Sequence, residues 1–95
     1  MRAEIVELHD EQSGAAARVL VSQGFNLFQW SIPDGNRLRE VLWAEDGFET
    51  GEKRPSGSGI PLMFPFPGRI GGASFHYHGR DYNLEPGDGR GNAIH

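Results

Sequence analysis

Glycine and proline interrupt this chain at such short intervals that a long helix has nowhere to form. Fourteen of its 95 residues are glycine and six are proline. Both are unfavourable inside a helix, glycine through backbone entropy and proline through its missing N–H and fixed φ. What remains is a series of short segments bounded by turn formers, which is a strand-and-turn pattern. Six Phe, two Tyr and two Trp supply apolar area for a core, although mean hydropathy is −0.51. A chain of this length makes at most one small domain. The expectation is therefore an all-β fold with one small domain spanning 1–95.

Four early segments read as strands. Ala3 to Leu8 mixes polar and apolar residues, with Ile5 and Val6 between Glu4 and Glu7, and Ala16 to Val21 is an apolar run after the turn-like Asp10–Gly14. Gly24 breaks that run before Phe25 to Ile32, in which Phe28, Trp30 and Ile32 fall at period two against Gln29 and Ser31. Pro33-Asp34-Gly35-Asn36 is a strong turn signal, and Leu38 to Trp43 makes the return strand of a hairpin. Leu38, Val41, Leu42 and Glu45 also fit helical spacing, but the window is barely ten residues long between Gly35 and Gly47. A strand is preferred because the aromatic strand before it needs a partner.

Glu49 to Gly59 carries Gly51, Pro55, Gly57 and Gly59 among charges and serines. No apolar side chain anchors it, so a mobile loop is expected over 49–59. Ile60 to Phe66 is apolar again, yet Pro61, Pro65 and Pro67 forbid a regular central strand. Two further strands, Ile70 to Tyr77 and Asp81 to Leu84, are expected around a Gly79-Arg80 turn, and Glu85 to Gly91 is a second glycine-rich loop.

A formal charge of −4 and a pI near 5.4 argue against a nucleic-acid partner, which demands a basic footprint. With no cysteine, disulfides and thiolate zinc sites are excluded. Met1 to Asp10 has scattered charges and no apolar signal-peptide core, and no apolar run approaches a membrane span. A cytoplasmic protein without membrane association is expected.

Arg69 comes directly after Phe64-Pro65-Phe66-Pro67-Gly68, where prolines and flanking aromatics stiffen the backbone. A rigid mount suits a binding arginine, because a loose guanidinium loses binding energy to side-chain ordering. The plainer reading is a surface arginine after a kinked strand. His95 offers an imidazole that titrates near neutral pH. His76 and His78, at i and i+2 on an expected strand, would share a face at a usable metal-ligand spacing. Comparison with cupins fails on spacing, however, because Tyr82-Asn83 stand where the carboxylate ligand should be and Glu85 comes too late. An exposed polar hairpin face is preferred. Trp30 and Trp43 are read as core; Phe64 and Phe66, leading into Arg69, are candidates for stacking on a bound ligand.

The run Gly59-Ile60-Pro61-Leu62-Met63-Phe64-Pro65-Phe66-Pro67-Gly68-Arg69-Ile70, the hairpin-like passage Phe75 to Leu84 and the ending Asn92-Ala93-Ile94-His95 together resemble the N-terminal part of the aldose 1-epimerases, the galactose mutarotase-like sugar enzymes. The resemblance implies an antiparallel β-sandwich of the galactose mutarotase-like supersandwich kind, of which this chain is the N-terminal part. It implies that Arg69 and His95 point into a sugar-binding cleft as catalytic and substrate-binding residues, with Phe64, Phe66 and Asn92 lining it. Family members often carry asparagine shortly before the arginine, where this chain has Pro67-Gly68.

The implied reaction interconverts the α and β anomers of a hexose or related sugar by ring opening. It needs a small-molecule sugar as substrate and no metal or other cofactor. The family's general acid, cleft carboxylate and general base lie beyond its first histidine. The expectation is thus a chain holding the first part of an active site, inactive by itself and prone to self-association through exposed strand edges. The alternatives are a non-catalytic carbohydrate-binding β module and, behind it, a cupin-like metal-binding barrel.

Overall fold

The computed structural model describes residues 3–94. All strands pair antiparallel, so the fold class is all-β, as the sequence indicates. Among the described residues the helical pieces are two 3-10 turns, Phe48–Thr50 and Gly71–Ala73. The chain divides into two compact units, Met1–Leu62 and Met63–His95.

The first unit is a four-stranded sheet in the order β1-β2-β3-β4. Its strands are β1 Ile5–His9, β2 Ala16–Leu20, β3 Asn26–Asp34 and β4 Arg37–Glu40. The β1–β2 connection is closed by Asp10. Its carboxylate accepts hydrogen bonds from the Ser13 hydroxyl at 2.6 Å and the Gln12 N–H at 3.3 Å, while its backbone N–H reaches the Ala15 carbonyl at 2.9 Å. Between β3 and β4 the turn is tighter than expected. Asp34 pairs with Arg37, so only Gly35 and Asn36 lie outside the ladder, with Gly35 at φ 63°. Two-residue hairpins favour such positive φ because it matches the strand twist.

The core of this unit is Leu20, Phe28 and Phe48, with Ala3, Ile5 and Ala44 packed against it. The Phe28 and Phe48 rings lie 5.6 Å apart at 47°, a tilted pair worth about 0.5–1.5 kcal/mol beyond the area buried. On the same face the core gives way to a polar row across all four strands. Glu7 meets Arg18 at 3.3 Å, Arg18 donates to the Gln29 side chain at 3.0 Å, and Gln29 donates to Glu40 at 3.3 Å. The Arg18 guanidinium also lies 5.1 Å from the Phe28 ring centroid, so it covers the apolar cluster while keeping its charge paired.

Neither tryptophan joins that core. Trp30 is 44% exposed and Trp43 is 69% exposed. The cause for Trp30 is a β-bulge: Arg18 pairs with Gln29 but Val19 pairs with Leu27, leaving Phe28 as the extra residue. A slip of one residue reverses which face every later side chain occupies. Asn26 and Phe28 are buried as the alternation requires, and then Ser31 rather than Trp30 is buried. Trp30 aligns instead with Ala17 and Leu8 on the opposite face. Trp43 falls outside the ladder because β4 ends at Glu40.

The Glu49–Gly59 segment, expected to be mobile for want of an apolar anchor, has polar ones. The fully buried Asn26 amide donates to the Ser58 carbonyl at 3.0 Å and the Pro55 carbonyl at 3.3 Å. The Ser58 hydroxyl accepts the Glu45 N–H at 3.1 Å, and the Gly59 N–H donates to the Trp43 carbonyl at 2.8 Å. Ile60 then exchanges two backbone hydrogen bonds with Leu27, at 2.9 and 3.0 Å. It thereby occupies the edge of β3 that the short β4 does not reach, since β4 pairs only with Ser31 to Asp34.

The second unit is a hairpin with flanking loops. β5 Ser74–Tyr77 pairs with β6 Arg80–Asn83, and Phe75 stacks on Tyr82 across the pair at 5.0 Å. Its core is Ile70, Ala73 and Ala93, with Phe66 packed against it.

Gly59 is where backbone freedom decides stability. It sits at φ +57°, and a Cβ there would overlap Asn26 Oδ1 and stand 2.6 Å from the Leu27 carbonyl oxygen and 2.9 Å from Phe28 Cα. Gly59→Ala is expected to destabilise the unit by about 1–3 kcal/mol or more. Gly57→Ala, with φ +92° and nothing within 4 Å of its Cβ, should cost less. Urea unfolding of the two variants reads the difference.

Candidate functional site

Arg69 is positioned by its C-terminal neighbour. Ile70 exchanges backbone hydrogen bonds with Ala93, at 2.9 and 3.0 Å, in an isolated antiparallel bridge. That bridge draws the Phe66–Ile70 approach alongside the Asn92–Ile94 segment, two stretches more than twenty residues apart in sequence. Prolines at 65 and 67 keep the approach from pairing as a strand, so a single bridge residue does the joining. Beneath it Phe66 packs edge-on against Phe75, centroids 5.0 Å apart at 60°.

The Arg69 side chain is 67% exposed, and its Nε faces Asp88 Oδ2 at 3.4 Å. Asp88 is held more tightly than Arg69, because its side chain is only 2% exposed. Oδ1 accepts the backbone N–H of Arg90 at 2.7 Å and of Asn92 at 3.1 Å, and Oδ2 accepts the Asn92 side-chain amide at 2.9 Å. These donors hold the Asp88 carboxyl below the usual aspartate value of 3.8. The Asn92 side chain is the largest cause, the Arg90 N–H the next, and the Arg69 charge a lesser one. Asn92 is tied at its other end too, its Oδ1 accepting the Gly72 N–H at 3.0 Å. Among the described residues, the two terminal nitrogens of Arg69 make no hydrogen bond.

Of the residues singled out from sequence, the structure brings Arg69 and Asn92 together through Asp88. His95 lies outside the described residues. Phe64 is 84% exposed, whereas Phe66 is half-buried in the small core. Asn92 has both ends of its amide engaged within the protein. His78 is not on a strand: with Gly79 it forms the β5–β6 turn, at φ 50° and 75°. Two positive φ values are what a two-residue primed turn requires. The i, i+2 strand face expected for His76 and His78 is therefore not formed. His76 Nδ1 instead meets Asp81 Oδ1 at 2.8 Å, and His78 packs edge-on against Tyr77 at 4.2 Å. Among the described residues no group of three or more His, Cys, Asp or Glu could hold a metal ion.

Sequence reasoning missed Asp88. The available signal was Asp88 next to Gly89, with Asn92 four residues on: an aspartate whose carboxylate caps the backbone N–H two residues later is a common turn device. Two shallow concavities lie elsewhere, in the Met1–Leu62 unit. One of about 260 Å³ is lined by Leu8, Ala17 and Trp30, and one of about 450 Å³ by Arg18, Phe28, Glu40 and Phe48. Both are open grooves on the sheet and neither contains Arg69, whose chemistry gives it the stronger claim as a site.

A family model described as Aldose 1-epimerase matches residues 4–95. No curated protein and no solved structure matches the chain. Among the described residues, no helix is long and apolar enough to cross a membrane.

The Asp88 carboxyl generates a pH prediction. Its folded value is lowered, so its contribution to stability is present above the ordinary aspartate value and is lost as pH falls through the lowered one. Carboxyl-carbon NMR should show Asp88 titrating below 3.8. Asn92→Ala should move that midpoint upward, because it removes the largest cause.

Proposed function

Because the chain belongs to the aldose 1-epimerase family, we propose that it serves in interconverting the α and β anomers of a hexose or related sugar, with Arg69 and His95 at the sugar. The observation that carries this reading is the state of Arg69. Its side chain is largely exposed and pairs with Asp88 through Nε, with no hydrogen bond from its terminal nitrogens among the described residues, on a segment bridged to the one that leads into His95. Those nitrogens suit the hydroxyls or ring oxygen of a pyranose. The exposed ring of Phe64 offers a face for the sugar's C–H surface.

Ring opening needs a base to take the proton from the C1 hydroxyl and an acid to protonate the ring oxygen. The aldehyde then rotates about C1–C2 and recloses as the other anomer. Each proton-transfer partner contributes about 10²- to 10⁴-fold. In this scheme Arg69 and His95 orient the sugar and stabilise oxygen where charge develops, a role in which a single well-placed donor is worth about 10²- to 10³-fold.

Polarimetry on the complete gene product, tracking mutarotation of freshly dissolved α-D-glucose and α-D-galactose, tests the proposal. Arg69→Ala and His95→Ala should each lower the enzymatic rate by about 10²-fold or more. Wild-type rates in both variants defeat the assignment. Saturable sugar-induced NMR shifts without any mutarotation point instead to a carbohydrate-binding module.

A further inference from the structure

We infer that Asp88 is the positioning residue for Arg69: its buried carboxylate fixes the guanidinium through Nε and leaves the terminal nitrogens presented to substrate. The inference rests on the reading of Arg69 as a sugar ligand and names the group that would make it effective.

Geometry supports it in three steps. An exposed arginine carries considerable side-chain rotamer entropy, which binding would otherwise have to overcome. Here the Nε side of the fork faces a carboxylate that is itself immobile. Asp88 Oδ1 is held by two backbone N–H groups at 2.7 and 3.1 Å, and Oδ2 by the Asn92 amide at 2.9 Å. The support extends beyond Asp88, because Asn92 Oδ1 is fixed by the Gly72 N–H, and the Ile70–Ala93 bridge sets the spacing between the loop and the Arg69 segment. Each member is thus in place before Arg69 meets it, which is the condition for a preorganised binding group.

The turn alone does not call for an ion here. A neutral oxygen acceptor can cap the Arg90 and Asn92 N–H groups as well as a carboxylate can. Burying a charge is costly unless it is paired, and Arg69 Nε is the cation opposite it, at 3.4 Å. That separation is longer than an ordinary N–H···O hydrogen bond. The pair therefore restrains the arginine electrostatically while letting the fork adjust as a ligand is taken up.

A double-mutant cycle on the complete gene product, again with α-D-glucose and α-D-galactose, separates positioning from a merely structural role. Asp88→Asn alone should lower kcat/KM by about tenfold to a hundredfold. In the Arg69→Ala background it should cause no further loss, because its effect runs through that arginine. Equal losses in both backgrounds, or no loss in either, overturn the inference. A second measurement does not depend on the Asp88 variant folding. In the unsubstituted protein the Arg69 Nε–H, identified by its disappearance in Arg69→Lys, should give an NMR resonance resolved from those of the solvated arginines. Averaging with the solvated arginines overturns the clamp. If the unsubstituted protein shows no mutarotation at all, the enzymatic reading fails while the resonance still reports on Asp88.

Discussion

Two single-residue β-bridges hold together what glycine and proline prevent from becoming strands. Leu27 with Ile60, and Ile70 with Ala93, each exchange a reciprocal pair of backbone hydrogen bonds of 2.9–3.0 Å. Each bridge closes a long excursion of chain, and the entropic cost of such closure grows only slowly with length. What limits the bridges is their surroundings. The first is flanked by a glycine that tolerates backbone contact on its Cβ side, the second by a small core of two alanines and an isoleucine. Remove either setting and the bonded residues lose the geometry that two hydrogen bonds alone do not enforce.

Polar side chains then carry much of what a larger domain assigns to apolar packing. Asn26 holds the Pro55–Ser58 backbone, Asp10 closes the first hairpin, and Asp88 with Asn92 organises the last loop. A loop with no apolar residue is a poor candidate for order by hydrophobic burial, yet each of these has an acceptor or donor placed to pair its backbone. The same logic governs the edge of the main core, where Arg18 spreads over Phe28 while Glu7 and Gln29 engage its nitrogens.

Much of this was legible in the sequence, and the exceptions share a physical origin. Alternation located β1 to β4 and the β5–β6 hairpin, and the turn residues located their connections. The family resemblance singled out Arg69 and Asn92, which the structure joins within one network. Trp30 misled because period-two counting assumes an uninterrupted ladder, and Phe28 is an extra residue in that ladder. His78 misled because a non-glycine residue at φ 50° gives no compositional sign of itself. Asp88 stayed hidden because a glycine-rich loop invites a reading as slack, although the aspartate–asparagine spacing that organises it was in plain view.

The bulge has a bearing on how such chains are compared. Since β3 changes its inward-facing parity after Phe28, its two halves obey opposite rules: even positions face the core before it and odd positions after. A relative lacking the extra residue would keep one parity throughout, so that an ungapped comparison sets its interior residue against the exposed Trp30 and its exterior residue against the buried Ser31. Alignments that place no gap there would match interior with exterior. Two closely similar sheets could then look, column by column, as though they had nothing in common.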